Sequence, residues 1–449
     1  MKKKNKKFLV VAIAAALSAA TAVPALALEN QFNGAFTTFY DMGNFAGSGV
    51  VQDDAPSNNY FVQRVRLGYT AKADDNVKLV TKFEFDYNYW GNNSYTVGRG
   101  TGGAIGADSV NMETKHLYLD LSYPVCNAKI GMMPYNDSFK GVLFDGDMAG
   151  VLLSHDYTNA GVSAGFFRFG DATDDANTAT AARDQDFTRL GKSTSDMFSL
   201  DGKYSVSKNL TVGAAYYYIK DDSRSNLFGD RSDAKVHSVG VNAAGNVGPV
   251  ALSGFFMQQF GDLSATEDAE GYAFNVGAKM PLAGGTLRSE FIYVSGGNDA
   301  FYVANGPGFT EGAQFYDSEM IMLGRDKYAT TIDNAIIYDL NNFDEGVIMG
   351  TVGYDYTFND KCSGSANAGF AAIADDAAGA AARSDFYGGP GVTRGNGDYL
   401  GTEINAEAYY KLSANVTLGA RAGYLFLGDY FASSYDNPYD MKLIAKYNF

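Results

Sequence analysis

The chain has 449 residues, with 35 Lys and Arg against 51 Asp and Glu, a net charge of −16. That acidity excludes a nucleic-acid binder, which needs basic patches to neutralise phosphates. Beyond residue 27, no run approaches the roughly 18 apolar residues of a membrane helix, yet the chain carries 31 Tyr, 31 Phe and 52 Gly. This composition suits short strands, aromatic belts and glycine-rich loops.

Residues 1–27 read as a secretory signal. Lys2, Lys3, Lys4, Lys6 and Lys7 form its basic start, Phe8 to Val23 its apolar core, and Ala25-Leu26-Ala27 its cleavage triplet. No Cys follows that triplet, so a lipoprotein anchor is not expected. Removing five lysines and no acid leaves 30 basic against 51 acidic residues, a balance of −21. Residues 28–449 then read as one domain. Without helical periodicity, that length is large for a single soluble domain but fits a wide barrel.

The first strand is predicted over Gln31 to Tyr40, with Phe32, Phe36 and Tyr40 in phase, and loop one over Asp41 to Asn59. Strand two, Phe61 to Ala73, sets Val65, Leu67, Tyr69 and Ala71 against Arg64, Arg66 and Lys72. After an Asp74-Asp75-Asn76 turn, strand three sets Leu79, Phe83, Phe85, Tyr87 and Tyr89 against Lys78, Lys82, Glu84 and Asp86. Alternate side chains of a strand point to opposite faces. A face this charged is costly against lipid and natural against a wet lumen.

The rhythm continues. Strand four carries Leu117, Leu119, Leu121 and Tyr123 against His116, Tyr118 and Asp120, and a short strand five runs from Ala128 to Met133. Strands six and seven, near Val151 to Tyr157 and Val162 to Phe169, alternate weakly. Strands eight and nine carry Phe198, Leu200, Tyr204 and Leu210, Val212, Ala214, Tyr216, Tyr218. Ten and eleven flank the turn Gly245 to Pro249. Twelve carries Tyr272, Phe274 and Val276; thirteen has Leu287, Phe291 and Tyr293 against Arg288 and Glu290.

An insertion from Gly297 to Glu345, far longer than ordinary connections, separates strand fourteen, with Val352, Tyr354 and Tyr356. Its aromatic residues and the run Asn334 to Tyr338 suit a cap over the mouth, a fold into the lumen, or a hairpin or short helix. Strand fifteen is Cys362 to Ala372. Strand sixteen sets Ile404, Ala406, Ala408, Tyr410 and Leu412 against Glu403, Asn405, Glu407 and Lys411. Strand seventeen, Val416 to Leu427, opposes Arg421 to Leu418, Tyr424 and Phe426. The final stretch, Asp440 to Phe449, alternates Met441, Leu443, Ala445, Tyr447 and Phe449 with polar residues and ends on the aromatic.

Eight short turns alternate with nine long loops, as eighteen antiparallel strands with both ends periplasmic require. The expected fold class is therefore all-β, an antiparallel up-and-down transmembrane barrel of 18 strands. A count of 16 follows if strands six and seven are misread. A soluble β-sandwich does not need charges on one face of nearly every strand.

Cys126 and Cys362 sit in no C-x-x-C arrangement, so no haem, zinc or other cofactor is expected. They fall on opposite sides of a ring roughly 35 Å across at ~4.8 Å strand spacing. A disulfide needs Cα atoms within about 7 Å, so no bridge is predicted.

The chain resembles bacterial outer-membrane porins. The resemblance is carried by Arg64-Val65-Arg66-Leu67-Gly68-Tyr69, the acidic turn after it, Glu84-Phe85-Asp86, Gly131-Met132-Met133-Pro134, Gly401-Thr402-Glu403-Ile404, Tyr410-Lys411-Leu412 and the terminal Phe449. It implies a water-filled channel for small hydrophilic solutes, a homotrimer, contact with lipid and lipopolysaccharide, and assembly machinery that reads the C-terminus at Tyr447 and Phe449. It also implies that loop three, here Tyr135 to Ala149, folds inward. That loop lacks the Pro-Glu-Phe-Gly-Gly-like stretch of general porins and holds Phe144-Asp145-Gly146-Asp147 instead.

By layout, Asp137, Asp145 and Asp147 face Arg64, Arg66 and Lys82 across the eyelet. Glu84, Asp86, Arg288, Glu290, Glu403, Glu407 and Arg421 are the other expected pore-lining charges. Opposed charges across a narrow pore set a field that sorts solutes. Acidic loop residues, among them Asp171, Asp174, Asp175, Asp184, Asp186, Asp317, Glu319, Asp326 and Asp333, add a cation-attracting vestibule and a weak cation preference.

Two other classes compete with the channel. An enzyme needs converging groups, but Ser154, His155 and Asp156 are neighbours on a strand and alternate in direction. His116 and Asp120 share a face without a serine, so no catalytic residue is assigned. A barrel that sheaths a partner, such as a periplasmic electron carrier, is the structural alternative. A substrate-selective channel capped by residues 297–345 is the functional one.

Overall fold

The structure is a computed structural model that describes residues 29–45, 51, 53–92, 103, 112–171, 191, 194–222, 234–264, 266–303, 316–325, 335–337, 339–376 and 394–449. The predicted signal over 1–27 and most of the acidic loop residues named above lie outside these.

Eighteen strands form one sheet, every neighbouring pair antiparallel. They are β1 Glu29–Gly43, β2 Asn58–Lys72, β3 Val77–Tyr89, β4 Met112–Ser122, β5 Asn127–Asn136, β6 Asp145–Asp156, β7 Ala160–Asp171, β8 Thr194–Ser207 and β9 Leu210–Asp221. The second half is β10 Ala234–Val247, β11 Val250–Asp262, β12 Tyr272–Leu282, β13 Gly285–Val294, β14 Val347–Thr357, β15 Cys362–Ala372, β16 Tyr399–Lys411, β17 Val416–Leu427 and β18 Tyr439–Asn448. β1 pairs with both β2 and β18, so the sheet closes. Closure gives every strand two partners and leaves no backbone edge to face hydrocarbon. Cys126, in the β4–β5 turn, and Cys362, opening β15, are both free.

The alternation read from the sequence sets the two faces. Ile404 is 48% exposed on the outer face while Glu403 beside it is fully buried inside. Leu67, Leu117, Leu418 and Leu443 also face outward, and Arg288, Arg421 and Lys442 point in. At the seam, Phe449 exchanges backbone hydrogen bonds with Gly34 (2.9 and 3.0 Å). A Cβ on Gly34 would collide with the Phe449 ring, so the small residue makes room for the aromatic end.

Two expectations are corrected. The inner face is not polar throughout: Met133, Phe167, Met197, Tyr217, Ile219, Val236 and Met257 are buried within the barrel. Strand residues near the long loops are apolar on the inside because the loops fold in and pack on them. Loop three is also shorter than expected. β5 and β6 run on to the pair Asn136↔Asp145, so Asp145 and Asp147 belong to β6 and the loop is residues 137–144. β4 and β5 stop pairing at Leu117↔Met132, and above that point the β5–β6 hairpin leaves the wall.

Candidate functional site: the narrowed lumen

Loop three is built around one carboxylate. Asp137 Oδ1 accepts the N–H groups of Phe139 (2.7 Å) and Gly141 (3.0 Å), and Oδ2 those of Leu143 (2.7 Å) and Phe144 (2.9 Å). Burial pushes its carboxyl up to about 6, against the pull of those four donors. Asp137 therefore does not face the strand-two arginines: it is spent inside its own loop. The loop leans along the inner face of the adjoining wall, β8 to β11. Tyr217 Oη accepts the Ser138 N–H at 2.9 Å, Ser138 Oγ donates to Asp201 at 2.7 Å, and Asn242 Nδ2 donates to the Ser138 carbonyl at 3.0 Å. Phe139 packs on Tyr217 and Phe255 and lies over Gly240, where a Cβ would come within 2.5 Å of its ring.

The long insertion also enters the barrel. Glu403, on the inner face of β16, accepts the N–H groups of Ile321 (2.8 Å), Met322 (2.9 Å) and Leu323 (2.9 Å). The Met322 and Leu323 carbonyls accept the N–H groups of Ile336 and Ile337, so the two stretches form a short ribbon. Gly369 and Gly423 open the wall for it: Cβ atoms there would meet Met320 Sδ at 2.6 Å and Ile321 Cδ1 at 2.5 Å. At the insertion's end, Tyr430 Oη lies 3.0 Å from both carboxylate oxygens of Glu345, and Arg394 stacks on the Tyr430 ring.

Loop three and the insertion meet on Glu290. Lys140 Nζ, from loop three, lies 2.7 Å from Glu290 Oε1, and Tyr316, from the insertion, donates a short hydrogen bond to the same oxygen. Beside it, Arg288 holds Asp355 (2.6 and 2.7 Å), Asn367 (2.9 Å) and Glu319 of the insertion. A space of about 500 Å³ adjoins this contact, lined among others by Lys140, Lys208, Lys279, Glu290, Glu319 and Thr351.

A second charge group lies on β2–β4. Arg64 pairs with Asp86 (2.5 Å) and Glu84 (3.5 Å), Arg66 with Glu84, and Arg64 stacks on Tyr87. Asp147, at the foot of the inward hairpin, meets Lys115 (3.1 Å) and His116 Nε2 (3.0 Å). Oxygens of Glu84, Asp86 and Glu113 lie within 4.8 Å of one another. Arg64 and Arg66 already hold Glu84 and Asp86, and Lys115 lies 3.8 Å from Glu84, so the set is a partner for basic side chains rather than a metal site. Lys82, in register with His116, has no ion pair among the described residues.

The third group is wall lattice. Glu407 accepts from Ser365 (2.9 Å) and Tyr409 (3.0 Å). Arg421 stands in register between Glu407 and Lys442. Lys442 binds Asp41 (2.7 Å) and Asp440, and Tyr60 donates to Asp41 at 2.8 Å.

Thus Arg64, Arg66, Lys82, Glu84, Asp86 and Asp147 come together as one group. Arg288 and Glu290 hold the inserted loops, Glu403 clamps the ribbon, and Glu407 and Arg421 brace the wall. Asp145 lies near Arg325 of the insertion. Sequence reasoning missed Lys140, Tyr316 and Lys115 as partners. Only the inward-loop expectation pointed toward them.

The chain matches no protein-family model and no curated protein. It is similar to solved structures over nearly its whole length. OccK3 (OpdO) of Pseudomonas aeruginosa aligns at 12% identity and TM-score 0.57, over 94% of this chain and 96% of that one. OccAB2 of Acinetobacter baumannii aligns at 11% and 0.57, over 94% and 98%. The outer membrane protein OpdK from Pseudomonas aeruginosa aligns at 11% and 0.55, over 94% and 99%. At these identities the likeness is one of fold, a closed barrel of the same extent.

Proposed function

We propose that the chain is an integral porin of the Gram-negative outer membrane, passing small hydrophilic solutes by passive diffusion through a lumen narrowed from two sides. The observation that carries this reading is the convergence of loop three and the insertion on Glu290 inside a closed barrel. An apolar outer face suits lipid, and a charged lower lumen suits water. The ribbon inside the lumen favours a substrate-selective channel over a wide general one. It also speaks against a sheath, since the two loops occupy the volume that a protein partner would need.

We read the three histidines as structural. His116 meets Asp147, His237 bonds Tyr216, and His155 packs edge-on against Tyr157. The mature acidity of −21 supports a weak cation preference. Lys82, Lys208 and Lys279, without ion-pair partners among the described residues, oppose it and keep it weak. The same reading carries a homotrimer, contact with lipopolysaccharide, and recognition of Tyr447 and Phe449, both exposed at the seam, by assembly machinery.

Reversal potentials in planar bilayers test the selectivity. Asp145→Asn/Asp147→Asn is expected to raise relative anion permeability by freeing Lys115, and an unchanged reversal potential overturns the role given to these aspartates. Swelling of proteoliposomes in solutes of graded size tests the channel itself. Small sugars and amino acids are expected to enter, and no entry of any solute would refute the porin reading.

A further inference from the structure

We propose that the outward face of β7–β11, at its long-loop end, seats the phosphate of an outer-leaflet lipid headgroup between Lys220 and Lys235. The inference rests on the outer-membrane placement proposed above and concerns a face that the channel does not use.

Phe166, Phe198, Tyr218, His237 and Phe260 are successive register partners on the outer side of these five strands. Their ring centroids follow one another at 5.1, 6.4, 4.7 and 5.0 Å. Tyr216 Oη lies 2.7 Å from His237 Nδ1, which satisfies the imidazole against lipid. Such a row is the aromatic girdle of a membrane–water interface.

Two residues further toward the long loops, each strand places a charge: Arg168, Asp196, Lys220, Lys235 and Asp262, again successive register partners. Outside the inward-leaning β5–β6 hairpin, the described strands turn charges outward only in this row and at Asp171 just beyond it. An outward Lys or Arg costs about 2–4 kcal/mol at the bilayer midplane and about 0–1 near the interface. Lys220 and Lys235, adjacent within the row, are therefore placed near headgroup level; register partners rise across tilted strands, so the two ends of the row lie at different depths.

Within it, Arg168 forks onto Asp196 (2.7 and 2.9 Å) and Lys220 holds Asp222. Among the described residues Lys235 has no ion-pair partner, and it stands in register with Lys220 on one side and Asp262 on the other. Like charges directly opposed across strands are destabilising. A phosphate entering between the two ammonium groups removes that repulsion and gains charge-assisted hydrogen bonds. Its acyl chains then lie along the aromatic row beneath. Asp222 and Asp262 flank the seat, so the attraction is local to the gap and not a general affinity for anionic surfaces.

Native mass spectrometry of the full mature protein in detergent tests this, with bisphosphorylated lipid A, its dephosphorylated form and inorganic phosphate as probes. Wild type is expected to retain lipid A. Lys220→Gln/Lys235→Gln is expected to bind it about tenfold more weakly, and Lys220→Arg/Lys235→Arg to keep it. Single-channel conductance of the glutamine variant should match wild type, because both residues face away from the lumen; that match also reports a folded barrel. Equal retention by the glutamine variant, equal retention of the dephosphorylated lipid, or displacement by inorganic phosphate would each overturn the proposal. A silent wild-type channel would refute the porin reading instead and leave the lipid result to stand separately.

Discussion

Asp137 and Glu403 do the same work in different places. Each carboxylate accepts backbone N–H groups that no strand partner can satisfy, four for Asp137 and three for Glu403. Asp137→Asn turns an amide N–H₂ toward those donors and leaves some unpaired, at a cost of about 1–3 kcal/mol. Loop three should loosen, and single-channel traces should become larger and noisier. Traces identical to wild type would contradict the role given to Asp137. In the sequence both residues read as pore-facing charges. An acid on an inward face looks the same whether water or a distant stretch of backbone meets it. Glu403 and Ile321 stand 82 residues apart, so no local pattern could have joined them.

At the scale of elements, two strands were legible to the residue: β15 and β17 run over the spans read for them, Cys362–Ala372 and Val416–Leu427, whereas the sharply alternating β2 runs from Asn58 to Lys72 and not from Phe61 to Ala73. β5 and β6 extend past their expected ends because Pro134, Gly146 and Gly150 break the apolar rhythm there while the hydrogen-bonded ladder continues. The insertion's course was not legible. Its apolar residues suited a cap or a plug equally, and the glycines that admit it, Gly369 and Gly423, lie on strands distant in sequence. Gly423→Val puts methyl groups where Ile321 packs, with no backbone penalty from the extended strand. The ribbon should be displaced and conductance should rise severalfold. Gly240→Val should do the same for loop three by displacing Phe139. Unaltered conductance in both would show that neither loop narrows the path.

The whole molecule depends on closure. β18 has to find β1 at nine paired positions, and Phe449 completes the seam over Gly34. Phe449→Ser is expected to lower the yield of assembled, heat-resistant barrel in outer membranes, while refolding in detergent is less affected. Equal yield would remove the terminal aromatic from assembly. The fold class and the strand count were legible because lipid and water impose opposite demands on alternating side chains all around the ring. What lies inside was not, since a barrel's inner face can be wet or can serve as the floor of a packed loop, and here it is both. The most direct test of the central claim is the single-channel conductance of the mature protein beside a variant with residues 316–325 replaced by a Gly-Ser linker. The expected result is a small, steady conductance for wild type and a severalfold larger one for the variant, which should also admit larger solutes. Equal conductances, or none from either protein, would contradict a channel narrowed by its own inserted loops.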